Sequence, residues 1–589
     1  MNIRDISYAY FSWLGNGLAR VFKGAEKDLD AAYMKVHPEV YFSVVGFTAF
    51  VALTIPVALA VLWFLGLWPS LSFLPGDGSI IIPLSALVPV VVIIFGVVTP
   101  KTAASNRISG LKTEIPYASM YISVMASGGL SPYESLLRMR NMDLLPNMQK
   151  EVARIETIVM STGADPVTAM EKAAREVSIT EYKELLLGYA STVRTGGDTL
   201  HYLYNQTEGM FKNLSSRAKA MGENMGMLME TYTIIGILGV LGIFLIFVIG
   251  ISLPAAGVNI TPFQFFAFSF AFMPFMSFAF IYAGDAGQMS YPISNWKTYL
   301  YTLAFAPIGI FAGTQMALPF FAPEFKIIPQ GVELVVFIRN LLGFAEGTEA
   351  AIGVSLTLIL IAIPGLIADS MLVGRDRSIQ DGIIQFLRDL VETRKSGLNP
   401  ERCIDALSGR DYKAFSKHLE TINMKLNWGY PIRQIYDEFK HNIRNWLALV
   451  NIYLLIDTLE VGGGSVASLE SLTSFAESSK RLDDEKRGLL MPLMVVPYIG
   501  AAILTGTTVM FLSFFSGMSG LGVSVAAVEL YRTLLTPLAL HSFMLGLVTG
   551  KITSGRVSAG FKHAILLTLV SVGGICAVPY LNTGGMFVA

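Results

Sequence analysis

The chain has 589 residues, 53% of them hydrophobic and 15% charged, with a mean hydropathy of +0.55, which excludes an ordinary soluble domain and points to a membrane protein. Its 43 Lys and Arg nearly cancel its 44 Asp and Glu, so no global field selects nucleic acid as a partner. Two cysteines, Cys403 and Cys576, exclude a disulfide framework and a thiolate metal site.

In chain order, residues 1–40 carry Arg4, Arg20, Lys23 and Lys27 among acids, without the compact layout of a cleavable leader. Phe11, Leu14, Leu18, Val21 and Phe22 recur at helical spacing. They predict an amphipathic helix, either lying on the membrane or packed on a cytoplasmic domain. Apolar runs near the length that a bilayer core requires, about 20 residues, then recur nine times: 41–66, 79–99, 232–253, 262–283, 299–321, 351–371, 490–515, 530–549 and 563–581.

Basic residues are retained on the cytoplasmic side of short loops. Lys101, Arg107 and Lys112 follow the second run, Arg375 and Arg377 the sixth, and Lys551, Arg556 and Lys562 lie between the last two. The loops LPAAGVNITPF and SGMSGLGVSVAAVE and the stretch 322–349 hold few basic residues. The expected topology is N-terminus cytoplasmic and C-terminus outside, in a cell membrane. Two long polar stretches then fall on the cytoplasmic side, and apolar residues recur at helical spacing within them, as in IPYASMYISVMASGG and IIQFLRDLVETRKSG. The expected fold is an all-α polytopic membrane protein with two cytoplasmic helical bundles. Its expected segments are an N-terminal segment 1–40, a transmembrane hairpin 41–99, a first bundle 100–231, four membrane helices 232–371, a second bundle 372–488, and three membrane helices 489–589.

The two polar stretches share their punctuation. Gly128-Gly129-Leu130-Ser131-Pro132 answers to Ser396-Gly397-Leu398-Asn399-Pro400, and Gly163-Ala164-Asp165-Pro166 to Gly429-Tyr430-Pro431. Arg194-Thr195-Gly196-Gly197 answers to Glu460-Val461-Gly462-Gly463. Gly suits a helix C-cap, Ser, Asn or Asp an N-cap, and Pro the first helical turn, so each joint reads as helix-turn-helix. Three joints in one order at a nearly constant offset predict an internal duplication.

These joints resemble the type II secretion F family, the platform proteins of type II secretion, type IV pili and archaella. Two copies in one chain with about nine spans are most similar to the archaeal members. The resemblance implies a platform that binds a hexameric secretion ATPase through its cytoplasmic domains and couples it to insertion of pilin-like subunits. It also implies a lipid membrane, a possible homodimer, and no enzyme activity or cofactor of its own. Glu460 stands at a family Glu position, where the first copy has Arg194. Arg194 and Glu460, with Gly196, Gly197, Gly462 and Gly463, are therefore the candidates for partner contact.

Rival chemistries are weaker. The string from Gly546 to Lys551 is one residue short of a P-loop and continues with Ile552, so it makes no phosphate cradle. Six scattered histidines offer no zinc cluster, and His541 reads as a packed helix residue rather than a proton relay. Asp285 and Asp369 sit near helix ends and would suit an intramembrane aspartyl peptidase if they shared a proton, but Tyr282 replaces the first glycine of Gly-x-Gly-Asp. A secondary transporter would need ionisable groups near the midplane, and apart from His541 the central segments hold almost none. The charge run Lys480 to Arg487 reads as a solvated helix face or a partner site.

Overall fold

A computed structural model describes residues 3–22, 24–32, 34, 36–64, 87–252, 264–265, 268–289, 291–292, 296–462, 464–518 and 527–576. The turn 67–78, the loop around Asn259, Gly463 and the end of the last apolar run lie outside the described residues. Among the described residues there is no strand. Among the described residues, eight helices are long and apolar enough to cross a membrane, and they match eight of the nine expected runs. Only part of the remaining run, 79–99, is described.

The chain divides into two compact units, Met1–Ala118 with Met139–Leu187, and Ser119–Arg138 with Gly188–Ala589. In the first unit, α1 (Ile3–Val21) packs along α3 (Pro38–Phe64), and α2 (Ala25–Ala31) joins them. The amphipathic face of α1 thus meets a membrane helix, not a cytoplasmic bundle. Next comes α4 (Leu87–Ser127), whose Arg107 donates to the Ala31 carbonyl at 2.7 Å. The chain continues through α5 (Pro132–Met139), which starts at the first predicted joint and lies in the second unit as far as Arg138, then α6 (Pro146–Thr162), α7 (Pro166–Glu176), which starts at the second joint, and α8 (Thr180–Arg194), which ends at the third.

Glu114 of α4 caps α6 from outside. Its carboxylate accepts from the Asn147 and Met148 amides, both at 2.8 Å, and from the Asn147 side chain at 2.6 Å, satisfying donors that a helix start leaves open. Buried Glu151 on α6 is held between Arg107 and Arg154.

In the second unit, α9 (Thr199–Ser252) runs unbroken for 54 residues, about 80 Å of helix. A π-helical turn and α10 (Met273–Gly287) lead to α11 (Lys297–Met316). The expected outward loop 322–349 contains a further helix, α12 (Pro329–Leu342). Then α13 (Glu349–Lys395) passes from apolar span into polar bundle without a break. The second bundle continues with α14 (Pro400–Ser408), α15 (Ser416–Asn427), α16 (Ile432–Asn442), α17 (Trp446–Gly462) and α18 (Val466–Leu490). The final membrane helices are α19 (Val495–Met518), α20 (Ala527–Ser554) and α21 (Gly560–Ile575).

Close backbone approach packs the apolar part, as expected where lipid supplies no hydrophobic drive between helices. A methyl group on Gly550 would sit 2.0 Å from the Gly560 backbone, and one on Gly353 would sit 2.2 Å from the Met316 carbonyl oxygen. The bundle instead buries large side chains around α17, whose residues from Trp446 to Leu455 are almost all buried.

Candidate partner surface and the buried ionic lock beneath it

In the second unit α9, α13 and α18 each have one end in an apolar span or leading into one, and the other at a glycine joint. From Met371, near the end of its apolar part, to Lys395, α13 advances about 36 Å. The joints at Gly196, Gly397 and Gly464 therefore gather at the membrane-distal end. α9 and α18 run side by side and parallel, with Tyr204 and Phe211 against Phe475 and Ser215 donating to Glu485 at 2.6 Å.

The expected turns carry left-handed glycines: Gly129, Gly163, Gly196, Gly397 and Gly429. At Gly129, Gly196 and Gly429 the bonds are those of a Schellman cap: Leu130 N to Met125 O at 3.1 Å, Gly197 N to Thr192 O at 2.9 Å and Tyr430 N to Lys425 O at 3.1 Å. In the last joint Gly462 closes α17, and the left-handed residue is Gly464. There a methyl would strike Leu459 at 2.7 Å and Pro400 at 3.0 Å. Arg394 staples this joint to the earlier one, donating to the Gly464 carbonyl at 2.9 Å and the Leu398 carbonyl at 2.7 Å.

Below the joints lies a polar cluster centred on Asp457, a fully buried acid on the mostly apolar α17. Tyr121 of α4 donates to one carboxylate oxygen. Arg433 of α16 donates to the other at 3.0 Å, and Arg138 of α5 approaches it at 3.4 Å. Arg433 also donates to Tyr453 at 2.8 Å and to Glu460 at 3.3 Å. Burial, then the Asp457 carboxylate, push the Tyr121 hydroxyl far above its ordinary range and that of Tyr453 up to about 12. Burial opposes the charge on Arg433, but Tyr453, Asp457 and Glu460 outweigh it and hold the guanidinium cationic. Asp457 is therefore a lock: one carboxylate satisfies groups brought from two distant parts of the chain.

The residues of the lock are not repeated at the Gly196 joint of the first copy. Counted back from Gly196, Ser191 holds the place of Asp457, Leu187 that of Tyr453 and Arg194 that of Glu460. Residues from Val193 to Asp198 are exposed there. Of the predicted contact residues, Arg194, Gly196 and Gly197 thus lie on an open edge, Glu460 is engaged by Arg433, Gly462 ends a helix, and Gly463 is outside the described residues. Sequence reasoning missed Asp457, although an acid directly after the apolar run IYLLI was the available signal.

The comparisons with known proteins agree with this duplication. The model for type II secretion system (T2SS), protein F matches residues 118–247 and again 386–513. The chain carries two type II secretion system protein F domains. Each F domain begins in the helix before the first joint and includes the membrane helix after the last. Tyr121 and Arg138 of the lock belong to the first F domain, and Arg433, Tyr453, Asp457 and Glu460 to the second. The chain is also 20% identical over 498 residues to an uncharacterized protein of Methanocaldococcus jannaschii, covering 82% of each chain. No solved structure matches.

The residues weighed for other chemistries have separate partners. Asp285 pairs with Lys551, whereas Asp369 accepts from Ser558 at 2.6 Å. His541 is buried beside Gly236, where a methyl would come 3.0 Å from its Nε2. The charge run on α18 is largely tied to neighbouring helices: Lys480 to Asp381 at 2.6 Å, Asp484 to Arg377 at 3.4 Å and Glu485 to Lys219 at 3.2 Å. Lys486 donates to the Met289 carbonyl at 3.1 Å. These charges bind the bundle together rather than forming a free face.

Proposed function

We propose that this protein is the non-catalytic membrane platform of a type IV pilus-like or archaellum-like assembly machine. A hexameric secretion ATPase engages the cytoplasmic ends of the F domains, and the protein couples its movement to insertion of pilin-like subunits. The observation that carries this reading is the continuity of α9 and α13 from glycine joint into apolar span. A torque or push applied at the joint is transmitted along an unbroken helix, whereas a flexible linker would dissipate it. The first joint, with Arg194, Gly196 and Gly197 exposed, supports a docking edge there. The Asp457 lock ties Tyr121 and Arg138, at the start of the first F domain, to the second F domain.

Deletion of the gene tests the reading. It is expected to abolish surface filaments and leave processed pilin-like subunits in the membrane. Normal filaments in the deletion strain, with the ATPase intact, would overturn it.

A further inference from the structure

The helix α1 was expected on the membrane surface or on a bundle, yet its contacts follow a membrane helix in antiparallel register. Phe22 stacks on Phe42 with ring centroids 6.2 Å apart, Leu14 lies at Gly46, and Phe11 meets Phe47 at 5.6 Å and Phe50 at 5.2 Å. As the numbering falls along α1, it rises along α3. The apolar span of α3 is Pro38–Ala58, so Phe11 is level with its middle.

We infer that α1 is itself a membrane segment, crossing the bilayer beside α3 and carrying Arg4 and Asp5 to the side opposite the α1–α3 connection. Its 19 residues span about 28 Å, close to the roughly 30 Å hydrocarbon core; it is less apolar than the eight helices above, and its charged residues, Arg4, Asp5 and Arg20, sit at its two ends, where they reach the interfaces. A bend at Phe11 does not break the packing along α3. No charged residue occurs from Ile6 to Ala19. Arg20 in the last turn of the helix and Lys23 and Lys27 beyond it form a basic cluster, of the kind retained on the cytoplasmic side.

Two further observations separate a membrane helix from a surface one. The α1–α3 contact is made through small residues: a methyl on Gly15 would sit 2.2 Å from the Ser43 hydroxyl and 2.7 Å from the Glu39 carbonyl oxygen. Such close approach characterises helix pairs in lipid. The outward face then presents Tyr10 at 73% and Trp13 at 71% exposure, level with Phe50 and Val51 of α3, which are about half exposed. One apolar surface runs across both helices, and its occupant is lipid.

The experiment uses the full-length protein with Cys403 and Cys576 replaced by Ser and one cysteine introduced, N2C or K27C. Labelling with a membrane-impermeant maleimide before and after permeabilisation is expected to place the two positions on opposite sides, with K27C reacting only once the cytoplasm is opened. Reaction of both from the same side would overturn the crossing. A photoreactive phenylalanine analogue at position 13 is expected to crosslink lipid. Crosslinking to a second copy or another protein instead would overturn lipid as the occupant.

Discussion

Tyr121 and Asp457 stand 336 positions apart in the chain and are joined by a buried hydrogen bond. One comes from the first F domain and the other from the second. Asp457 also receives Arg433 and Arg138, so its loss strands several polar groups at once. D457A is expected to destabilise the protein by about 3–5 kcal/mol, the range for breaking one side of a buried pair. Y121F should cost about 1.5–3 kcal/mol, as for a hydrogen bond to a charged group. The double variant should cost less than the sum, read by thermal unfolding in detergent micelles. Full additivity would show that the two residues act independently.

The glycine joints differ in a way that substitution can read. G196A meets open space and bears only the strain of a left-handed backbone, about 1 kcal/mol. G464A adds collisions with Leu459 and Pro400 and is expected to cost about 2–4 kcal/mol. Equal shifts in melting temperature would contradict the packing described for the last joint.

Glu114 is buried, and burial raises its carboxyl to about 7 against the bonds from Met148 and Asn147 that lower it. A folded-state value above the unfolded one means that the native state holds the proton more tightly. Its stabilising contribution is thus fullest below the unfolded value and is lost as pH rises toward about 7. Stability measured relative to E114Q should fall between pH 5 and about 8, by at most about 3 kcal/mol. A difference that is flat or rises over that range would contradict the burial argument.

The ties along α18 predict a bundle effect as well. K480A removes the 2.6 Å bond to Asp381 but leaves that acid paired with Lys413 at 3.0 Å. Both lysines are partly exposed, so the cost should stay below about 1 kcal/mol. A loss of several kcal/mol would show that this pair does more than steady the helix.

Much of the fold was legible because its signals are local. Apolar runs set by bilayer thickness marked eight of the described spans, and Gly, Asn, Asp and Pro at helix ends marked the joints. What was not legible depends on residues far apart. Asp457 reads locally as an ordinary acid near a helix end, and only the fold brings Tyr121 and Arg138 to it. The last joint slips from Gly462 to Gly464 because α17 continues through its first glycine, and the left-handed turn comes where Arg394 and Pro400 close on the backbone. The pairing of α1 with α3 escaped notice because an amphipathic pattern does not say which surface it covers.

The central claim is that the membrane-distal joints receive a secretion ATPase. The direct measurement is the ATPase's hydrolysis rate in the presence of the full-length protein in nanodiscs. The account predicts association and an altered rate for the wild type, and loss of both for R194E. An ATPase that neither binds nor changes its rate with the wild-type protein would contradict it.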